Sequence, residues 1–213
     1  MKIILADIEA SITEAYEKFC GDLEIVEIHK GNILKVSCDA IVSPANSYGF
    51  MDGGIDMVYS RYFGWCVQER LQRKIQTKHY GELLVGQAEI VETDKQNIPF
   101  LIAAPTMRVP MTLGNTVNVY LAARAVFLLI KHGVFDSGVF AGDPISNVVQ
   151  SVAFPGLGTG VGSVGPNTCA KQMRTAIDDF VLGKFSFPFS WADAQERHQK
   201  LYRDFVRDLQ NGE

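Results

Sequence analysis

No Cys-x-x-Cys pair occurs in this sequence, and its four cysteines, Cys20, Cys38, Cys66 and Cys169, lie far apart. Scattered thiols of this kind are expected to be free or buried, in a reducing compartment. There is no run of lysine or arginine, and the net charge is -4. That balance argues against a nucleic-acid backbone as the main partner. The histidines, His29, His79, His132 and His198, have no metal-ligand spacing, and neither a metal nor another cofactor is expected. A Gly-Lys-Ser/Thr sequence is missing, which excludes a P-loop NTPase, and Ser43 is not in a Gly-x-Ser-x-Gly elbow. The longest apolar run, Ala125 to Ile130, is too short to span a bilayer. The opening Met1-Lys2-Ile3-Ile4-Leu5-Ala6-Asp7 is too short in apolar residues for a signal peptide. The expectation is a cytoplasmic protein with no membrane partner.

What is present is a 213-residue chain, 47% hydrophobic and 21% charged, enough for one domain with a substantial core. Apolar runs at Lys2–Ala6, Leu23–Ile28, Ala40–Val42, Ala88–Val91, Phe100–Ala104 and Val148–Phe154 predict strands. Helical spacing follows most of them. Asp7 is placed to cap a helix carrying Ile8, Ile12, Ala15, Tyr16 and Phe19, with Gly21 to stop it. Ile55, Val58, Tyr62 and Cys66 form the stripe of a helix running to about Ile75. Asn115–Ile130 is helical and apolar over much of its surface, ending at Gly133. Pro166 suits the first turn of a helix with Cys169, Met173, Ile177 and Phe180 on one side. Ser190 caps a terminal helix whose packing face is Trp191, Ala194, His198, Leu201, Tyr202, Phe205 and Leu209. The alternation predicts a three-layer α/β/α sandwich with a mixed, mostly parallel sheet. A single domain over 1–213 is expected, with a helical extension from about 184 to 210.

Two glycine-bearing loops, each leading from a strand into a helix, carry the chemistry. The first runs Ser43-Pro44-Ala45-Asn46 through Gly49 to Gly53-Gly54. The second is Pro155-Gly156-Leu157-Gly158-Thr159-Gly160-Val161-Gly162-Ser163-Val164-Gly165. Glycine lets a backbone approach a ligand closely, and free amides at a helix N-terminus favour anions. Two such loops at neighbouring strand ends suit a diphosphate with a sugar on each side. Gly160, Gly162 and Gly165 also spell Gly-x-Gly-x-x-Gly. That dinucleotide fingerprint opens a first βαβ unit, whereas here it lies late, and Asp178 and Asp179 fall inside the following helix. Asn46 and Asp56 flank the paired glycines. Asn46 offers a donor and an acceptor to sugar hydroxyls, and Asp56 can orient a water or take its proton. By spacing alone, Asn46 serves equally as a turn former and Asp56 as a first-turn helix charge.

The stretch Gly31-Asn32-Ile33, Cys38-Asp39-Ala40-Ile41-Val42-Ser43-Pro44-Ala45-Asn46 and Gly53-Gly54-Ile55-Asp56 resembles the signature of the macro domain family, which binds ADP-ribose. Phe154 to Gly162 resembles that family's phosphate-wrapping loop, and the resemblance runs from about Gly31 to Phe180. It implies that Asn32 stands where the family's Asp accepts from the adenine amino group, with Ile33 beside it. It implies that Asn46 holds the distal ribose, and that Gly53, Gly54 and Ile55 lie near that ribose and the diphosphate. Gly158, Thr159, Gly160, Val161 and Gly162 match the loop whose amides bind the diphosphate. Asp56 matches the acidic residue of the branch that cleaves ADP-ribose from protein carboxylates. Pro44, a pair of glycines only, and Gly162 where many hydrolases carry an aromatic are departures. The implied ligand is ADP-ribose or an ADP-ribosylated protein. The implied activity is hydrolysis of mono-ADP-ribosyl esters or of ADP-ribose 1''-phosphate, with Asn46 and Asp56 as catalytic residues. The alternative is a reader without turnover.

Overall fold

The computed structural model describes residues 1–207. Six strands form one sheet: β1 (Lys2–Asp7), β2 (Val26–Lys30), β3 (Ala40–Ser43), β4 (Glu89–Glu92), β5 (Phe100–Ala103) and β6 (Ser151–Phe154). Their order is β2-β1-β6-β3-β5-β4, and every pair is parallel except β4 with β5. The helices are α1 (Ala10–Cys20), α2 (Gly54–Phe63), α3 (Cys66–Lys78), α4 (Asn118–His132), α5 (Ile145–Val148), α6 (Pro166–Phe180) and α7 (Trp191–Lys200). A 3₁₀ turn at Ile33–Lys35 follows β2.

Apart from the edge strand β2, which is half-buried to exposed, the strands are largely buried on both faces, so their near-continuous apolar sequences belong to a parallel sheet between two helical layers. Alternation splits the core. Ile3, Leu5, Val42, Ile102, Val152 and Phe154 pack on one side with residues of α1, α4 and α6. Ile4, Ala6, Ile41, Leu101 and Ala153 pack on the other with residues of α2 and α3. This is the expected α/β/α sandwich with a mixed, mostly parallel sheet.

Several local expectations shift. Asp7 is the last residue of β1, and Glu9 occupies the N-cap of α1. The carboxylate of Asp7 instead accepts from the Glu9 amide and, across the sheet end, from the Gly156 amide. The helix expected to reach Ile75 breaks after Phe63, where Gly64 turns with φ 95° and α3 begins afresh. The inward face of α2 is Asp56, Tyr59, Ser60 and Phe63, while Val58 is exposed. The stripe read from Ile55, Val58, Tyr62 and Cys66 is therefore rotated. The aromatic pair Tyr59 and Phe63 outweighs the smaller apolar residues in choosing the buried side.

The helix opened by Ser190, which accepts from the Asp193 amide, ends at Lys200. Its expected packing face forms only in part: Leu201 is buried and Ala194 and Tyr202 half-buried, but Trp191, His198 and Phe205 are exposed, and Gln199 is the helix's buried residue. Salt bridges Arg197–Asp193 and Lys200–Glu196 run along a helix that is mostly polar. Leu209 and the end of the expected extension lie outside the described residues.

At the far edge, β4 is covered by α3. Lys74 donates to the Ile90 carbonyl and Arg70 to the Glu92 carbonyl, satisfying edge groups that would otherwise be open to pairing. Beneath them Glu89, 4% exposed at its side chain, meets Lys74, Lys78 and His79. Burial alone would raise its carboxyl, but Lys78, Lys74 and His79 hold it below the usual range. A lowered carboxyl contributes stability above its unfolded pKa of 4.5 and loses it as pH falls through the folded value. Glu89→Gln should cost roughly 3 kcal/mol in urea unfolding at neutral pH. The difference from the parent should shrink in acid, below the usual glutamate range.

Candidate functional site

β3 and β6 are neighbours, with Ala40 beside Val152 and Ile41 beside Ala153. Their carboxyl ends therefore deliver the two polar loops side by side, where open α/β sheets hold ligands. β1 flanks β6 on its other side, and the chain leaves β1 toward β2 but leaves β3 toward β5 and β4. The crossovers part at β6, which places the crevice over its end.

In the second loop, Thr159 Oγ1 donates to the Gly156 carbonyl, Ser163 N to Gly160 and Val164 N to Gly158. The amides of Gly158, Thr159, Gly160, Val161 and Gly162 find no acceptor among the described residues. These are the five residues named from the sequence for the diphosphate. Gly158 and Gly162 are buried, where an unpaired backbone donor is uncommon, while Gly160 and Val161 face solvent. Gly160 opens onto free space, whereas Gly162 is closed. A Cβ there would lie 2.5 Å from the Gly158 carbonyl oxygen and 2.9 Å from Leu113 Cδ1. The Gly162 carbonyl also accepts from Leu113 N at 2.7 Å. Position 162 has no room for any side chain, so the missing aromatic is a packing requirement of this chain. The loop's exposed apolar side chain is Val161.

In the first loop, Asn46 folds back on its own turn. Its Oδ1 accepts from the Tyr48 and Phe50 amides, and its Nδ2 donates to the Phe50 carbonyl at 2.8 Å. One N–H of the amide is left over. Gly53 caps α2 without a side chain, Gly54 enters it at φ 54°, and a Cβ on either meets open space. The amides of Gly53, Gly54, Ile55 and Asp56 have no acceptor among the described residues, a second set of donors at the positive end of a helix.

Asp56 is turned inward and 8% exposed. Its Oδ1 accepts from Ser43 Oγ at 2.5 Å, and Ser43 itself is fully buried at the end of β3. Oδ2 has no partner, yet no side-chain polar atom of the described residues is both fully buried and unpartnered. Oδ2 therefore keeps a path to solvent. Burial pushes the Asp56 carboxyl up to about 7, against the lowering effect of the Ser43 hydrogen bond. Tyr59, one turn on, donates to the Val42 carbonyl and fixes this side of α2 to β3.

Asn32 is exposed and caps the 3₁₀ turn, accepting from the Leu34 amide at 3.0 Å, while Ile33 is buried behind it. They stand at the end of β2, with the Gly31 amide bonded to the Asp7 carbonyl. Arg108 pairs with Glu82 at 2.6 Å and lies over Tyr48. Ser43 is the site-forming residue that sequence reasoning left without a role. Its signal was a hydroxyl inside an apolar strand, where a polar group needs a buried partner. A separate cavity of about 460 Å³ lies under α3, lined by Arg70, Lys74, Lys78, Glu92 and Asp136 among others, and touches neither loop.

Residues 42–173 match the family model described as Macro domain. The chain is 33% identical over 155 residues to an uncharacterized protein of Aquifex aeolicus, covering 73% of this chain and 82% of that one. It is 30% identical to one from Aeropyrum pernix, covering 73% and 71%. Among solved structures it resembles the macrodomain of Mycobacterium tuberculosis DarG, with a TM-score of 0.55, 18% identity, and 70% and 88% of the two chains covered. It also resembles the Oceanobacillus iheyensis macrodomain with ADP, with a TM-score of 0.57, 19% identity, and 81% and 84% covered. At these identities the structures establish the shared fold.

Two stability measurements follow from the site's packing. The folded state keeps Asp56 protonated to higher pH than the unfolded chain, whose value is 3.8. Between 3.8 and about 7 the folded form binds more protons, so stability falls as pH rises, and levels off above. Asp56→Asn should lack that fall. Its stability relative to the parent should improve by a few kcal/mol between about pH 4 and about pH 7.5 in denaturant titrations. Gly162→Ala should cost about 1–3 kcal/mol in the same assay, because Leu113 or the loop must move.

Proposed function

Because the chain belongs to the macro domain family, we propose that it binds ADP-ribose across the carboxyl ends of β3 and β6 and hydrolyses the bond at the distal anomeric carbon. The substrate is a mono-ADP-ribosyl ester on a protein carboxylate or ADP-ribose 1''-phosphate. The observation that carries this reading is the pair of free-amide rows, at Gly53–Asp56 and Gly158–Gly162, on adjacent loops beside a buried carboxyl. The Oceanobacillus macrodomain has structures with ADP and, as a glycine variant, with ADP-ribose. It has also been crystallised as an asparagine-to-alanine and an aspartate-to-alanine variant, ten positions apart. Asn46 and Asp56 have the same separation.

In this reading the two amide rows donate to the oxygens of the diphosphate. Asn32 and Ile33 border the adenine end. The spare N–H of Asn46 holds a hydroxyl of the distal ribose. Oδ2 of Asp56, whose carboxyl titrates near 7, takes a proton from a water whose oxygen bonds to the anomeric carbon as the ester C–O bond breaks. The leaving carboxylate departs with the bonding pair and needs no proton. Ser43 keeps the other carboxylate oxygen in place.

The second reading is a reader that binds without turnover. The observation favouring it is that Asn46 spends its acceptor and one donor on its own loop. Calorimetry with ADP-ribose and an assay of an ADP-ribosylated glutamate substrate separate the two. For the hydrolase, Asp56→Asn should lower turnover about 100-fold or more while ADP-ribose affinity stays within about threefold. The rate of the parent should rise with pH toward a plateau above about 7. A parent that binds tightly and never turns over is the reader. Undiminished turnover in Asp56→Asn would remove the aspartate from the mechanism, and no heat with ADP-ribose on a folded sample would end both readings.

A further inference from the structure

The free amides of the second loop need a fixed starting point, and the peptides of Pro155 and Gly156 are held at three atoms. The Pro155 carbonyl accepts from Tyr16 Oη at 3.2 Å. The Gly156 amide donates to Asp7 Oδ2 at 3.1 Å. The Gly156 carbonyl accepts from Thr159 Oγ1 at 2.9 Å. Tyr16 is fully buried and comes from α1, and Asp7 comes from the end of β1. The parallel register sets this contact. Leu5 lies beside Phe154, and two residues farther along each chain are Asp7 and Gly156. There is no slack, since a Cβ on Gly156 would lie 2.8 Å from Asp7 Oδ2 and 2.6 Å from Thr159 Oγ1. The other oxygen of Asp7 accepts from the Glu9 amide at 2.9 Å, which fixes the carboxylate's own orientation.

We propose that Asp7 is a positioning residue for the diphosphate loop. It anchors the Gly156 peptide so that the amides of Gly158–Gly162 stay aimed at the ligand. The inference rests on the functional reading above, and it concerns a residue outside the stretch 42–173 that the family model matches. Its physical content is a conflict of signs. A carboxylate beside an anion site repels the anion, so charge alone would favour replacing it. Preorganisation of the loop makes the opposite demand, because unaligned donors must be ordered at the ligand's expense. Asp7 is an acceptor for two amides, and positioning requires that this role outweigh its repulsion.

The sign makes the test decisive. Binding of ADP-ribose to the parent, Asp7→Asn and Asp7→Ala is measured by calorimetry, with adenosine, which lacks phosphate, titrated by NMR as the control. Thermal midpoints are recorded for all three proteins. The expected order of ADP-ribose affinity is parent, then Asp7→Asn, which can still accept from one amide, then Asp7→Ala, weakened about tenfold or more. Adenosine affinity should be unchanged, and the Gly156 amide should exchange its hydrogen faster in both ligand-free variants. Tighter ADP-ribose binding in the neutral variants would mean that Asp7 acts only as a repelling charge, and would overturn the proposal. Equal affinity would overturn it too, as would a parallel loss for adenosine and ADP-ribose with a fallen midpoint. A parent that does not bind ADP-ribose would instead overturn the functional reading, and this inference with it.

Discussion

The parallel pairing of β3 with β6 is the constraint on which the cleft depends. It brings together loops that are more than a hundred residues apart in sequence. One side chain locks it at the opposite end. Asp39 accepts from the Gln150 amide, the Ser151 amide and Ser151 Oγ, and Ser151 Oγ in turn accepts from the Asp39 amide. Four hydrogen bonds, three of them to one carboxylate, hold the starts of the two strands in register. A slip of one residue would send the apolar side chains of β6 to the wrong layers and separate the two rows of free amides. The aspartate at the head of the family-like motif is therefore a register pin some strand-length away from any ligand.

Two buried carboxylates stand in opposite electrostatic settings in this fold. Glu89 lies among Lys74, Lys78 and His79 and is held below the usual range. Asp56 has one hydroxyl partner and no cation beside it among the described residues, and is raised to about 7. Both are removed from water, but only the first is compensated by opposite charge. An uncompensated carboxyl costs stability at neutral pH and has no packing advantage over an apolar residue. Such a group marks a candidate functional site, and Asp56 lies at the mouth of the loops rather than at the sheet edge. The charged cavity under α3 is explained by the pairing that closes the edge of β4.

The layers, the buried strands and the two loops were legible because they follow from composition and periodicity. Parallel strands buried on both faces read as continuous apolar runs, and glycine clusters between a strand and a helix mark backbone close to something. What was not legible depended on tertiary choice. Ile55, Val58 and Tyr62 make as good a helical stripe as Tyr59 and Phe63, and only docking on β3 decides between them. That choice turns Asp56 from a first-turn surface charge into a buried acid. Asp7 looked like a helix cap because Asp after a strand is common there, and the competing donor, the Gly156 amide, is 149 residues away. The terminal helix failed differently. Its apolar residues suggested a continuous packing face, but Trp191 and Phe205 are exposed, Leu201 alone of that face is buried among the described residues, and charge pairs stabilise the helix locally instead.

The stretch that matches the family model begins at Val42, after β1, α1 and β2, yet these earlier elements are not an ornament on the fold. β1 lies between β2 and β6, so without it β6 would be an edge strand with unpaired backbone beside the cleft. Tyr16 of α1 is fully buried, and its hydroxyl reaches both the Pro155 carbonyl and Cys169 Sγ, on the loop and the helix that follow β6. Burial drives the tyrosine hydroxyl well above its ordinary range, so it remains a donor at any working pH. The second loop is thus clamped from outside the matched stretch, by groups that cannot be read from the loop's own glycines. A glycine-rich segment by itself has too much conformational freedom to hold five donors in place. Here β1 and α1 fix the start of that loop while Leu113 and the loop's own turns hold the rest, so the part of the chain that carries the motif depends in part on one that does not.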